Sequence, residues 1–115
     1  MAQKNDERRE VSRVPLKTRV VFKPRGSKEE FTSDFSENLS TKGVFLTTEA
    51  SFEVGTELEL HFSLPNSKQI IKAEGRVVWT RSKGETGEQG IGIEFTKLEP
   101  ASEEIIAQFV ERNES

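Results

Sequence analysis

One segment near the middle of the chain constrains the fold more than any other. From 57 to 64 the residues alternate between polar and apolar without interruption over eight positions. Successive side chains of a β-strand point to opposite faces, so this alternation predicts a strand with one buried and one solvated face. Half-buried strands of this kind are typical of antiparallel sheets. The chain is therefore expected to fold around an antiparallel sheet.

Five further segments have strand character and are separated by turns rich in Gly, Pro, Asn and Ser. With 57–64, the predicted strands are 16–23, 29–39, 44–48, 69–81 and 89–96. Gly75 interrupts the longest of them and predicts a bend or bulge at that point. Six strands at this length favour closure, because closure removes exposed strand edges. The predicted fold class is all-β, a six-stranded antiparallel β-barrel.

The two ends of the chain differ from this pattern. An apolar stripe with helical spacing predicts a C-terminal α-helix over about 100–112. Residues 1–13 are almost wholly polar and cannot bury enough apolar surface to offset the entropy of ordering them. The predicted organisation is a flexible N-terminal arm, 1–14, followed by one domain of barrel and helix, 15–115.

Composition excludes several classes of protein. The net charge of −3 argues against a general DNA or RNA binder. Cysteine is absent, which excludes disulfides, thiolate zinc sites and cysteine nucleophiles. No apolar run approaches the roughly 20 residues of a membrane span, and the N-terminus has no apolar signal-peptide core. We expect a soluble, cytoplasmic protein without membrane insertion.

Two short motifs, about 25 residues apart, carry the candidate chemistry. The first is the RxxxR from Arg9 to Arg13, preceded by Arg8. A guanidinium offers two parallel donors that match guanine O6 and N7 or phosphate oxygens. On an extended segment Arg9 and Arg13 project to the same side. The alternative interpretation is a solvated tail in which neighbouring glutamates neutralise the arginines.

The second motif, residues 38–43, has the sequence NLSTKG and lies at a turn between two predicted strands. Asn38 and Ser40 could pair with a guanine edge, while Leu39, of opposite parity, points into the core. Gly43 permits a positive φ or a close backbone approach. An ordinary β-turn capped by Asn and Ser is the alternative interpretation. Together the two motifs suit a small, flat, anionic guanine nucleotide.

An RxxxR followed by (D/N)xSxxG resembles the hallmark of the PilZ domain family, and the resemblance extends over about 7–110. It includes the later segments GRVVW and GIGIEF. The resemblance implies a six-stranded barrel that senses cyclic di-GMP in bacteria. The contacts it implies are Arg9 and Arg13, with Arg8 in support, and Asn38, Ser40 and Gly43. Where the family has Asp, the neutral Asn38 brings no charge, which indicates weaker affinity.

Trp79 is the only tryptophan of the chain and lies late in the strand 69–81. In some family members a Trp near this place packs against the nucleotide, so Trp79 joins the predicted ligand contacts by resemblance. Strand periodicity instead puts Trp79 on the same face as Val77, which favours the barrel core or rim. Arg81, two residues on, would add positive charge at that rim.

No pattern in the chain indicates catalysis. His61 is the only histidine and lies on the polar face of its predicted strand, without a second histidine as partner. The glycines of 90–95 superficially suggest a dinucleotide fingerprint, but Phe95 replaces the third glycine and no helix follows directly. Tight strand packing explains them better. We expect no enzymatic activity, no metal and no cofactor.

The predicted function is a signalling effector that binds cyclic di-GMP, orders its N-terminal arm and contacts an unidentified partner protein. The main alternative is a PilZ-like interaction module that does not bind nucleotide, against which the intact motifs weigh. A small barrel that binds single-stranded nucleic acid is a further alternative. It would need surface aromatics among basic residues, whereas the Phe residues here mostly alternate inward and the net charge is negative.

Overall fold

The computed structural model of the chain describes residues 14–16, 18–33, 36–65, 67–82, 84 and 88–113. They contain eight strand segments and one helix. These are β1 (Val14–Leu16), β2 (Val20–Pro24), β3 (Phe31–Ser33), β4 (Ser36–Leu39), β5 (Gly43–Thr47), β6 (Glu57–Ser63), β7 (Ile70–Arg81), β8 (Gly90–Leu98) and α1 (Pro100–Asn113). The predicted arm lies outside the described residues, except that Val14 is the first residue of β1.

All eight segments belong to one antiparallel sheet, in the order β1-β4-β5-β8-β7-β6-β2-β3. The predicted strand 16–23 is present as β1 and β2, and the predicted strand 29–39 as β3 and β4. These two interrupted strands pair with each other, through β1 with β4 and through β2 with β3. The pairs β1–β4 and β2–β3 lie at opposite ends of the sheet order, yet both are formed by the same two consecutive stretches of chain. The sheet therefore curls back on itself. The predicted six-stranded antiparallel fold is confirmed.

Inward positions follow the alternation of the sequence. Leu58, Leu60 and Phe62 of β6 are buried, and the polar residues between them face outward. The ring of Phe22, also fully buried, lies 5.7 Å from that of Phe31 in a stacked arrangement. Large aromatic side chains of this kind let a chain with few apolar residues still form a core.

The helix α1 covers part of this core. Ile106 and Val110 are buried, while Ile105 and Phe109 are half-buried and pack against the same apolar cluster. The predicted helix and its apolar stripe are thus found where the 3.6-residue period placed them. Across the described part of the chain, every helix is too short or too polar to cross a membrane.

The pairing of β7 with β8 is irregular at the predicted bulge. Glu74 pairs with Lys97. The next residue of β7, Gly75, pairs with Phe95, so β8 carries one extra residue between the two pairs. A Cβ on Gly75 would come 2.5 Å from Cγ2 of Ile93. The glycine therefore allows β8 to approach closely where the strand bends.

An ionic row crosses the outer face, formed by Arg25, Glu57, Arg76 and Glu94. Nη1 of Arg25 donates to Oε1 of Glu57 at 3.0 Å, and this hydrogen bond is the main cause that raises the pKa of Arg25. Nη2 of Arg76 donates to Oε1 of Glu94 at 3.3 Å. Arg76 is the cross-strand neighbour of both glutamates, so β6, β7 and β8 are linked by alternating charges.

Candidate functional site

Asn38, the third residue of β4, precedes the turn to β5 and has a backbone φ of 57°. Asn and Asp tolerate this left-handed conformation better than other non-glycine residues, because their short polar side chains can bond locally. Asn38 is exposed, and the neighbouring Leu39 is fully buried, as opposite parity predicts. The backbone alone thus favours Asn, Asp or Gly at this position.

Ser40 is buried and holds the turn together. Its Oγ accepts a hydrogen bond from the N–H of Lys42 at 3.0 Å, and its own N–H donates to the carbonyl of Gly43 at 2.9 Å. These bonds are the local capping expected of an ordinary β-turn. A hydroxyl that accepts in this way keeps its O–H as a donor.

Gly43 lies against the backbone of β8. A Cβ at this position would overlap the carbonyl oxygen of Ile93 and lie 3.2 Å from Cα of Glu94. Of the two roles predicted for Gly43, the close backbone approach is the one found. The approach is held by the N–H of Phe95, which donates to the carbonyl of Lys42 at 2.8 Å.

Trp79 lies on the outer face, so the prediction that it shares a face with Val77 is wrong. Val77 pairs with Ile93, and Trp79 pairs with the adjacent Gly92, which leaves Val78 as an extra residue on β7. The bulge reverses the alternation beyond it. Val77 is fully buried, whereas Trp79 is 45% exposed.

An aromatic stack, formed by Phe45 and Trp79, lies on this outer face. The two ring centroids are 5.0 Å apart and the rings are inclined by 21°. Both residues are cross-strand neighbours of Gly92, and a Cβ on Gly92 would overlap the indole ring. The missing side chain is therefore what allows the indole to lie flat across β8. The guanidinium carbon of Arg81 lies 4.2 Å from the centroid of the Phe45 ring and adds a cation–π contact.

Phe45 was not among the predicted site residues, yet the sequence carries a signal for it. Val44, Phe45 and Leu46 are consecutive apolar residues, and all three are buried. Since neighbouring side chains of a strand point to opposite faces, an apolar run of this kind indicates cover on both faces of β5. Val44 and Leu46 point into the core cluster, and Phe45 is covered from outside by Trp79 and Arg81.

A pocket of about 320 Å³ opens between the turn and the aromatic stack. Its lining includes four predicted ligand residues, Asn38, Ser40, Gly43 and Trp79. It also includes two charged residues that were not predicted, Lys42 and Glu94. The pocket thus combines an amide, a hydroxyl, a flat aromatic surface and one charge of each sign.

The remaining predicted contacts, Arg8, Arg9 and Arg13, lie outside the described residues. The sheet register nevertheless defines where their segment joins the domain. Val14 pairs with Leu39, the residue between Asn38 and Ser40. The chain that precedes Val14 is therefore attached beside the turn that lines the pocket.

The described residues do not form a metal-binding site. Among them, no cluster of three or more His, Asp or Glu side chains is placed to hold one. His61 is exposed on β6, with Val21 and Lys72 as cross-strand neighbours. Valine and lysine do not usually bind metal ions in proteins, so neither neighbour would complete a site with His61.

Comparison with known proteins identifies the architecture. A solved structure with similar fold is that of the Bacillus subtilis inhibitor of motility, MotI/DgrA, with a TM-score of 0.72 and 21% sequence identity. The match covers 87% of this chain and 49% of that chain, so the present chain spans about half of its length. No curated protein matches the chain.

A family model gives the decisive match. The model of the PilZ domain matches residues 7–112, nearly the whole chain and both motifs. PilZ domains are binding and adaptor modules without enzymatic activity, in agreement with what the sequence predicts for this chain. The chain belongs to the PilZ domain family.

Proposed function

We propose that this PilZ domain binds cyclic di-GMP in the pocket between the turn 38–43 and the aromatic stack, with the N-terminal arm as the second wall. The observation that carries the proposal is the pairing of Val14 with Leu39. Val14 directly follows the first motif in sequence, and Leu39 belongs to the second, although the two motifs are about 25 residues apart. The association of the PilZ family with cyclic di-GMP supports the choice of ligand.

The arm is long enough to serve this purpose. Arg13 directly precedes Val14 in sequence, so its Cα lies about 3.8 Å from that of Val14. Arg9 lies five residues before Val14, a span of at most about 17 Å when extended. Both guanidinium groups can therefore reach a ligand seated over the turn.

The chemistry of the pocket matches the parts of the ligand. A guanine can stack on the exposed face of Trp79, as bases stack on aromatic platforms in other nucleotide sites. The ammonium of Lys42 and the arginines of the arm supply positive charge for the two phosphates. The exposed amide of Asn38 offers a donor and an acceptor to a base edge.

The proposed mechanism is a change of order in the arm. When the ligand recruits Arg9 and Arg13, the arm lies across the pocket and creates a surface that was absent before. A partner protein of the cytoplasm would recognise that surface. The similar Bacillus protein is an inhibitor of motility. The association of the PilZ family with partner proteins supports an output through contact with another protein.

Calorimetric titration with cyclic di-GMP tests the proposal. Arg9→Ala and Arg13→Ala should each weaken binding by about 10- to 100-fold, because a hydrogen bond to a charged group contributes roughly 1.5–3 kcal/mol. Arg25→Ala is the matched control, since it removes a guanidinium that is bonded to Glu57 and does not line the pocket. Equal affinity in wild type and both arm variants would refute the assignment of the arm, and absence of binding by the wild type would refute the function.

A further inference from the structure

Glu94 is a charged residue of the pocket to which the sequence motifs assign no role. It lies on β8 opposite Gly43, the last residue of the turn motif. Its side chain is 54% exposed, and Oε1 accepts the hydrogen bond from Arg76 at 3.3 Å. A carboxylate has about four acceptor positions on two oxygens, so this single bond leaves capacity for a ligand.

The position of Glu94 relative to the aromatic stack is defined by the strand. Gly92 and Glu94 are two residues apart on β8, with the buried Ile93 between them, so both face outward. Two residues of a strand span about 7 Å. Because the indole of Trp79 lies over Gly92, a base stacked beside Trp79 would have one edge within reach of the Glu94 carboxylate.

Guanine has an edge that suits such a group. Its N1–H and exocyclic N2–H point in parallel, and a carboxylate accepts two parallel donors with charge-assisted bonds. The turn motif offers the neutral amide of Asn38 and the neutral hydroxyl of Ser40, and neither group supplies this charge. Among the described residues that line the pocket, Glu94 is the one with a carboxylate.

We propose that Glu94 is the guanine-recognising residue of the pocket: its carboxylate accepts from N1–H and N2–H of one base, and Arg76 orients it through Oε1. The inference rests on the proposed binding of cyclic di-GMP and adds the source of base specificity. In this proposal the Arg76–Glu94 pair of the ionic row takes part in ligand binding. The positive charge of Arg76 also offsets the repulsion between Glu94 and the phosphates of the ligand.

The test compares cyclic di-GMP with cyclic di-IMP, whose bases lack the N2 amine, by calorimetric titration. The wild type should bind cyclic di-GMP about 10-fold more tightly than cyclic di-IMP, as expected for one charge-assisted hydrogen bond. Glu94→Gln keeps the shape but places an amide N–H against a donor of the base. It should weaken cyclic di-GMP binding by about 10-fold and reduce the preference over cyclic di-IMP to about 2-fold.

Glu57→Gln is the matched control, because Glu57 has the same type of partner in the ionic row and does not line the pocket. It should leave both affinities unchanged. Tighter binding by Glu94→Gln would overturn the inference, since it would mean that Glu94 only repels the phosphates. An unchanged preference for cyclic di-GMP in Glu94→Gln would overturn it as well. In either case, intact binding by the wild type would leave the proposed function standing.

Discussion

Replacing Gly43 by Ala adds one methyl group where two strands are closest. The new Cβ would overlap the carbonyl oxygen of Ile93 and lie 3.1 Å from its carbonyl carbon. These are backbone atoms of a central strand, and they can move only if β5 and β8 separate. The substitution therefore tests whether the turn motif needs its glycine for packing.

The expected cost follows from the contacts. Forcing an extra methyl group into a packed site typically costs about 1–3 kcal/mol. Separation of the strands also weakens the bonds from the Ser40 N–H to Gly43 and from the Phe95 N–H to Lys42, each contributing about 1 kcal/mol. The lower entropy of Ala in the unfolded chain offsets about 0.4–1 kcal/mol. The free energy of unfolding should fall by roughly 3 kcal/mol, which corresponds to a decrease in Tm of about 10 °C.

Gly92→Ala is the matched comparison. It adds the same methyl group, but the methyl group would clash with a side chain and not with the backbone. Its Cβ would overlap the indole of Trp79, which is 45% exposed and has solvent, not backbone, on its outer side, so the ring can turn away if its stack on Phe45 is given up. The loss is then the aromatic contact, about 0.5–1.5 kcal/mol, largely offset by the entropy gain. Urea denaturation followed by far-UV circular dichroism measures both variants. Equal destabilisation of the two, or a loss below about 1 kcal/mol for Gly43→Ala, would show that the packing argument is wrong.

Three further substitutions test separate parts of the site. Asn38→Ala should lower the free energy of unfolding by about 1–2 kcal/mol because of the left-handed φ, while Asn38→Gly should not; urea denaturation checks this. Trp79→Ala should weaken cyclic di-GMP binding about 10-fold through loss of base stacking, and Trp79→Phe should retain most of it; calorimetry that finds the two alike would count against stacking. Lys42→Ala should weaken binding and make it less sensitive to salt, because an exposed charge is screened by ions; titrations at two ionic strengths measure this, and an unaltered salt dependence would contradict a phosphate contact.

Local patterns were sufficient to predict most of the architecture. The uninterrupted alternation of 57–64 identifies β6, and the helical stripe identifies α1, because both depend only on the geometry of one element. The spacing of Asn38 and Leu39 likewise predicts which side chain is buried. A resemblance of short motifs then pointed to the family, which the match over 7–112 establishes.

The site itself depended on pairings between distant parts of the chain. The face of Trp79 could not be predicted, because the bulge at Val78 arises from how β7 pairs with β8. The aromatic stack forms only because Phe45 and Gly92 are paired on neighbouring strands. Their separation in sequence does not predict that pairing. The outcomes for Arg8, Arg9 and Arg13 stay predictions, since these residues lie outside the described part of the chain.

The amino-acid sequence alone determined the inward residues of β6, the antiparallel character of the sheet and where the helix begins, since these follow from the period of apolar side chains. Only the tertiary structure decided that Val14 lies beside Leu39, that Trp79 faces outward and that Glu94 joins the pocket. The physical reason is that hydrogen-bond register and bulges are properties of strand pairs, and no single strand encodes its partner.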